Sequence, residues 1–356
     1  MESRTAARLV PRAVLARVIL PLLALWAAGP LAAADAPAGT RCEPLGGGAL
    51  RCTAPDGSRE EFKLNSLGQR DGIVRRFDAR GVLRSEAMLE AGTPVGPQKT
   101  FHDNGALERL QFVTGAKVQF SLVRLPDGRP TELRCAPVHL IPEDLDLCGH
   151  DGKPRQTTLQ RDAARTLGTV TFQSGVLREL TVVGDNGAVI RSEAYEQKAG
   201  EPDRRIKRVY YPSGRLRSET VLIERPADTF EGREGTGREW ADSGQLTQEV
   251  VWAQGREQRL RQWYLNGQLK LDQQIRRQGR HEERLTRSFW ENGQPAAVNT
   301  ERFGRLWGWQ RYFGSKGQRL RDDEHGPGGE LLRRRHYNAA GQVEREEVLA
   351  DDARRL

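Results

Sequence analysis

Apolar residues recur along this chain at fixed distances from glycine, and the positions between them are mostly polar. An aromatic residue stands four places before a glycine and an aliphatic one two places after it, as in Trp263, Gly267 and Leu269 or Phe77, Gly81 and Leu83. The aromatic position is filled by Phe77, Phe101, Tyr210, Trp240, Trp263, Phe289, Phe313 and Tyr337. Five places after the glycine an acid recurs, as Glu86, Glu219, Glu249, Asp272, Asp322 and Glu346. Taking Gly57, Gly81, Gly105, Gly128, Gly152, Gly175, Gly214, Gly244, Gly267, Gly293, Gly317 and Gly341 as the repeat glycines gives intervals of 24, 24, 23, 24, 23, 39, 30, 23, 26, 24 and 24. A period near 24 held over most of a chain is repeat architecture, in which each unit packs mainly on its neighbours.

Turn chemistry selects the secondary structure. Aromatic and branched residues on both sides of a glycine-containing loop predict β-hairpins. A two-residue type I′ turn needs positive φ before the glycine as well, which Asn104, Asn266 and Asn292 tolerate but Arg80, Lys316 and Ala340 do not. A three-residue loop with glycine alone in the left-handed region suits every copy. In that register Trp263 faces Leu269 and Phe77 faces Leu83 on one side of the sheet. Two strands of about five or six residues and two turns account for one unit. The expected fold is all-β, an elongated array of antiparallel β-hairpins forming a single twisted meander sheet. Thr53, Arg124 and Cys148 occupy the aromatic position in the units at Gly57, Gly128 and Gly152, so the first half is degenerate. The two long intervals place insertions between Gly175 and Gly244, and the stretch 176–243 holds either longer loops or a hinge between two arrays.

The first 34 residues read as a secretory leader. Arg4, Arg8, Arg12 and Arg17 precede an apolar stretch from Val18 to Ala33, broken by Pro21 and Pro30, and Ala32, Ala33 and Ala34 offer a small-residue cleavage site. The stretch falls short of the ~20 residues a membrane span needs, so no transmembrane anchor is expected after cleavage. Removing four arginines and Glu2 takes away a net +3, so the formal charge of +8 falls to about +5. Basic and acidic residues are interleaved rather than blocked, with neither a basic stripe nor a nucleic-acid motif, so no nucleic-acid partner is expected. The expected organisation is a leader at 1–34, a short segment at 35–56 carrying Cys42 and Cys52, partly degenerate repeats at 57–200 and well-formed repeats at 201–356. The expected compartment is the periplasm or the exterior.

Four cysteines in an exported chain predict disulfides, simplest as Cys42 with Cys52 and Cys135 with Cys148, although four cysteines allow three connectivities. On the hairpin reading Cys135 and Cys148 lie on adjacent strands. A metal site from Cys135 and Cys148 with His139 or His150 lacks the close cysteine pairs that zinc favours, so no metal or cofactor is expected. Catalytic motifs are likewise absent. His281 and Glu282 begin a zincin pattern that has no second histidine, the stretch Gly232 to Gly237 lacks a preceding strand, and no serine sits in a nucleophile elbow.

The recurring acid is expected on the sheet face opposite the aromatic pair, meeting arginines of neighbouring strands for about 0 to 1 kcal/mol per exposed pair. The repeat aromatics are expected to serve as core. Trp307 and Trp309 alternate with Gly308 and share a face with Arg311, a candidate binding surface for a sugar ring or a peptide. The pattern in WYLNGQLKLD, FWENGQP, YYPSGRLRSE and WADSGQLTQE resembles the MORN-repeat variant of bacterial proteins, including YwqK-type chains named as antitoxins. The resemblance covers most of 57–350 and implies a β-hairpin array used for binding. The function expected is that of a non-enzymatic binding or scaffold protein of the cell envelope with a protein partner. An immunity or antitoxin-like role is the alternative, an envelope glycan-acting enzyme a distant one, and anionic lipid or cell-wall glycan the non-protein ligands.

Overall fold

The computed structural model describes residues 39–349, apart from 116, 198–200, 202, 225–231 and 280. The secretory leader therefore lies outside the described residues, as does most of the insertion after Glu224. The chain is almost wholly β, with one helix among the described residues. Consecutive strands pair antiparallel in chain order, giving hairpin meanders. There are two sheets, of nine and eighteen strands, where a single sheet was expected. The chain divides into two compact units between Gly128 and Arg129.

The turns follow the predicted chemistry. At Gly81 the amide donates to Asp78 O at 2.9 Å and Asp78 N donates to Val82 O at 2.9 Å, closing a three-residue loop with the glycine at φ +82. The same pair of bonds recurs at Gly105, Gly214, Gly244, Gly267, Gly293, Gly317 and Gly341. No residue immediately before these glycines has positive φ. Trp263 pairs with Leu269, Phe77 with Leu83 and Tyr337 with Val343, as the register requires. The strands run longer than expected, to ten residues in Leu269–Gln278. The reason is that the other turn of a unit is often only two residues, with both in the left-handed region. Ala91 and Gly92, Gln254 and Gly255, and Phe303 and Gly304 are such pairs.

Two of the repeat glycines do not close hairpins: Gly152 lies between the helix Pro142–Cys148 and the strand Arg155–Gln160, and Gly175 sits in the other kind of turn. Gly175 belongs to a two-residue turn between Gln173 and Val176, preceded by Ser174 at φ +51. The hairpin glycine of this unit is Gly187, whose amide donates to Gly184 O, and the preceding turn at Arg161 to Arg165 closes without glycine. The interval between hairpin glycines here is therefore 27, from Gly187 to Gly214, rather than 39.

The two disulfides join different kinds of element. Cys42 and Cys52 are cross-strand partners and are bonded. Cys135 and Cys148 are also bonded, but Cys148 ends the helix Pro142–Cys148 and Cys135 follows the strand Pro130–Arg134, so this bridge does not staple two strands. Pro142 opens the helix, where its missing N–H costs nothing, and Gly149 ends it at φ +67. The carbonyls of Cys148 and Gly149 accept from Gly175 N at 2.8 Å and Ser174 N at 2.9 Å, which satisfies the helix C-terminus. A Cβ on Gly175 would stand 1.7 Å from Ala136 O, so only glycine fits there.

The fully buried side chains are not the repeat aromatics. Phe120, Leu110 and Leu122 are almost inaccessible, and Cys52, Phe62, Val74 and Leu89 form a core with Leu50 and Leu64. All eight repeat aromatics are half-buried. Arginine covers several of them, with Arg59 over Phe77 at 4.6 Å and Arg319 over Tyr337 at 4.4 Å.

Candidate functional site

The glycine turn carries a bulge that decides which side chains share a face. Trp263 pairs with Leu269, Gln262 with Leu271 and Arg261 with Asp272, leaving Lys270 without a partner. Paired residues lie on one face and alternate residues return to it, so Trp263, Arg261, Leu269 and Asp272 all point the same way. The recurring acid is therefore on the aromatic face, not the opposite one. Contacts agree: Tyr337 donates its hydroxyl to Asp322 Oδ2 at 3.2 Å, and Arg319 lies over the same ring.

On that face, the residue six before the glycine is basic in the units at Gly57, Gly81, Gly105 and from Gly214 to Gly341, and it pairs across the strands with the recurring acids of its own or a neighbouring unit. The resulting row reads Arg208, Glu219, Arg238, Glu249, Arg261, Asp272, Arg287, Val298, Arg311, Asp322, Arg335 and Glu346, each in register with the next. The first unit repeats the theme with Glu43, Arg51, Glu61, Arg75, Glu86 and Lys99. Strand pairing thus builds a ladder of alternating charge.

Its central acids are not exposed. Glu249 is 8% accessible, Asp272 8% and Asp322 2%. Arg238 Nε donates to Glu249 at 2.9 Å, and Arg261 holds its other oxygen. Asp272 is gripped at both oxygens by Arg259, at 2.8 and 2.9 Å. Arg319 takes both oxygens of Asp322. Burial pushes the Glu249 carboxyl up, but the Arg238 hydrogen bond and the Arg261 charge more than offset this and hold it below the ordinary glutamate value. Glu86 behaves alike, its desolvation outweighed by Arg75 and Lys99. Asp78, in a turn, is lowered to about 2, chiefly by the Val82 amide.

A second ladder joins successive glycine turns. The residue three before the glycine reaches the backbone of the next unit: Tyr211 Oη donates to Trp240 O at 2.8 Å, Tyr264 Oη to Phe289 O at 2.9 Å and Trp290 Nε1 to Phe313 O at 3.2 Å. The asparagine before the glycine does the same, Asn266 to Glu291 O at 2.9 Å and Asn104 to Pro126 O at 3.0 Å. These bonds tie the Gly214 turn to the Gly244 unit, and the Gly267 turn through Gly293 to the Gly317 unit, while Ala241 and Gly314 carry no group that extends them. The signal was present in the sequence as a second aromatic in YYPSG, WYLNG and FWENG.

Trp307 and Trp309 do not share one uninterrupted strand. The strands Arg305–Leu306 and Gly308–Phe313 flank Trp307, and Gly308 turns the chain at φ +68. The inaccessible Gln310 stabilises this break, accepting from Thr300 N at 2.7 Å and donating to Trp307 O at 2.8 Å. Each indole is half-buried under an arginine, Trp307 under Arg302 at 3.3 Å and Trp309 under Arg335 at 4.5 Å. Arg311, two residues beyond Trp309, is exposed.

Cys135 and Cys148, being bonded to each other, cannot ligate a metal with His139 or His150. Among the described residues no group of three His, Cys, Asp or Glu side chains converges to hold a metal ion. His139 instead bonds through Nδ1 to the inaccessible Asp144, whose second oxygen accepts from Leu140 N at 2.8 Å. No helix among the described residues is long and apolar enough to cross a membrane. Both disulfides suit an oxidising compartment.

No protein-family model matches the chain, and no curated protein matches its sequence. Solved structures with some likeness include a Photorhabdus luminescens Tc holotoxin pore carrying a TccC3 mutation, at 12% identity and TM-score 0.19 over 86% of this chain and 17% of that one. A TcdB2-TccC3-Cdc42 structure follows at 10% identity and TM-score 0.16, over 85% of this chain and 20% of that one. A Bacteroides fragilis protein of unknown function shows 7% identity and TM-score 0.11 over 56% of this chain and 96% of its own. The chain thus spans about a fifth of the length of the two toxin-complex chains, and likeness at this level assigns neither family nor function.

Proposed function

We propose that this chain is an exported, non-catalytic binding protein of the periplasm or the cell exterior, which recognises a protein partner with the arginine–carboxylate face of its hairpin arrays. The observation that carries the reading is the ladder itself. Strand register and bidentate ion pairs hold its guanidiniums and carboxylates in fixed positions, so the face is organised before a partner arrives and little side-chain freedom is lost on binding. Such a surface offers charge complementarity and aromatic anchors without needing a pocket.

The test is crosslinking in cells of the tagged, exported protein, followed by mass spectrometry of the captured species. Deleting two adjacent units around Gly267 and Gly293 is expected to abolish capture of the partner. Capture that survives removal of all units from Gly214 to Gly341 would overturn the proposal. Turnover of cell-wall glycan by the purified chain, lost on a single carboxylate substitution, would replace it with an enzymatic role.

A further inference from the structure

The ladder of the second unit has one missing rung. Where every other hairpin after Gly187 that continues the row supplies an acid, the unit at Gly293 supplies Val298, set between Arg287 and Arg311. These two arginines are exposed, and neither guanidinium makes an ion pair or hydrogen bond with a side chain of the described residues. Their outer neighbours in the row are engaged elsewhere. Asp272, beside Arg287, gives both oxygens to Arg259, and Asp322, beside Arg311, gives both to Arg319 with Tyr337 added.

We propose that the gap over Val298 is a binding site for a carboxylate, supplied by an aspartate or glutamate side chain of a protein partner. This rests on the reading of the ladder face as the partner surface for its biological use. Arg287 and Arg311 lie two strands apart, roughly 10 Å between backbones, a span over which two long side chains close on one carboxylate placed between them. Guanidinium is the group suited to paired recognition of a planar carboxylate. The molecule itself shows what fits: Glu249, between Arg238 and Arg261, accepts from both. Val298 cannot accept, so the incoming acid supplies what the chain lacks. Phe289 and Phe313, on the same face beside Arg287 and Arg311, give the residues flanking that acid an apolar seat. A side chain rather than a free ion suits this arrangement of charge bordered by aromatic rings.

Val298→Asp tests the site because it fills the gap from within. The probes are a short glutamate-rich peptide, an oligogalacturonide and inorganic phosphate, titrated against the intact disulfide-bonded chain while tryptophan fluorescence is followed. The glutamate peptide is expected to bind saturably, to weaken about tenfold in Arg287→Gln or Arg311→Gln, and to lose binding in Val298→Asp. Val298→Asn, which matches the shape without the charge, is expected to retain binding and shows that the pocket survives substitution. Equal binding to wild type and Val298→Asp would overturn the site. Binding of oligogalacturonide or phosphate with none of the peptide would overturn the assignment to a protein side chain. Peptide binding at the gap together with partner capture indifferent to Val298→Asp would uphold the site and contradict only its place in the partner surface.

Discussion

Replacing Asp322 by asparagine removes one negative charge from the most deeply buried acid of the ladder while keeping its shape. Asp322 is 2% accessible and accepts Arg319 Nε at 2.8 Å, a second Arg319 nitrogen, and Tyr337 Oη at 3.2 Å. Hydrogen bonds to a charged group contribute about 1.5–3 kcal/mol each, and breaking a buried pair costs about 3–5 kcal/mol. Asparagine keeps one acceptor, and Arg319, with 38% of its side chain accessible, can turn toward water. The expected loss is therefore at the low end, about 2–3 kcal/mol. In a repeat array this loss appears locally, so the assay is amide hydrogen exchange rather than a single global transition. Amides of the strands Gly308–Phe313, Arg319–His325 and Leu331–Tyr337 are expected to exchange about 30- to 150-fold faster, with the first unit unchanged. The control is Glu43→Gln, whose partner Arg51 stands 3.5 Å away with 66% of the glutamate side chain accessible, and which should cost under about 0.5 kcal/mol. Equal, small effects at both positions would refute the distinction between buried rungs and a solvated charge pattern.

Three further outcomes follow from the same geometry. Tyr264→Phe removes the hydroxyl bonded to Phe289 O at 2.9 Å and should cost about 1 kcal/mol, read as faster exchange at the turns of Gly267 and Gly293 together; an effect confined to its own turn would contradict the inter-unit ladder. Replacing Cys135 and Cys148 by alanine opens a closure of sequence separation 13 and should lower stability by about 3 kcal/mol in urea unfolding, most visibly at the helix Pro142–Cys148. Glu249, Glu86 and Asp78 all have lowered pKa values in the folded chain, so each favours folding at neutral pH and that contribution is lost as pH falls. Stability should hold above the ordinary glutamate value of 4.5 and decline toward pH 2, a profile checked by urea midpoints across that range.

The hairpins were legible because the turn demands a residue in the left-handed region and glycine is the residue that supplies it cheaply, so Gly81, Gly267 and Gly341 announce themselves. Register followed from the same loop. Faces did not, because counting by twos across the turn ignores the extra residue at Lys270 and assigns Asp272 to the wrong side. Gly175 was mistaken for a hairpin glycine since Leu177 stands two places after it, while the true turn at Arg161 to Arg165 closes with Ala164 in the usual glycine position. Cys148 fell at an aromatic position by count and so read as strand, whereas Pro142, buried Asp144 and Gly149 make the segment helical. The ladder was partly visible, in that the position six before the glycine is Arg or Lys at 75, 99, 208, 238, 261, 287, 311 and 335. Its meaning required knowing that this position faces the acids across the strands. The gap at Val298 then became visible only against the completed rungs.

The central claim, that this chain binds through its arginine–carboxylate face, is tested most directly by photocrosslinking from single positions in the intact exported protein. A photoreactive residue at Thr300 or Leu285 reports the ladder face and one at Thr286 or Gln273 the opposite face, all within the same pair of hairpins. The account predicts that one partner protein is captured from the first pair of positions and not from the second. Capture from the second pair alone would place the partner on the other side of the sheet and contradict it.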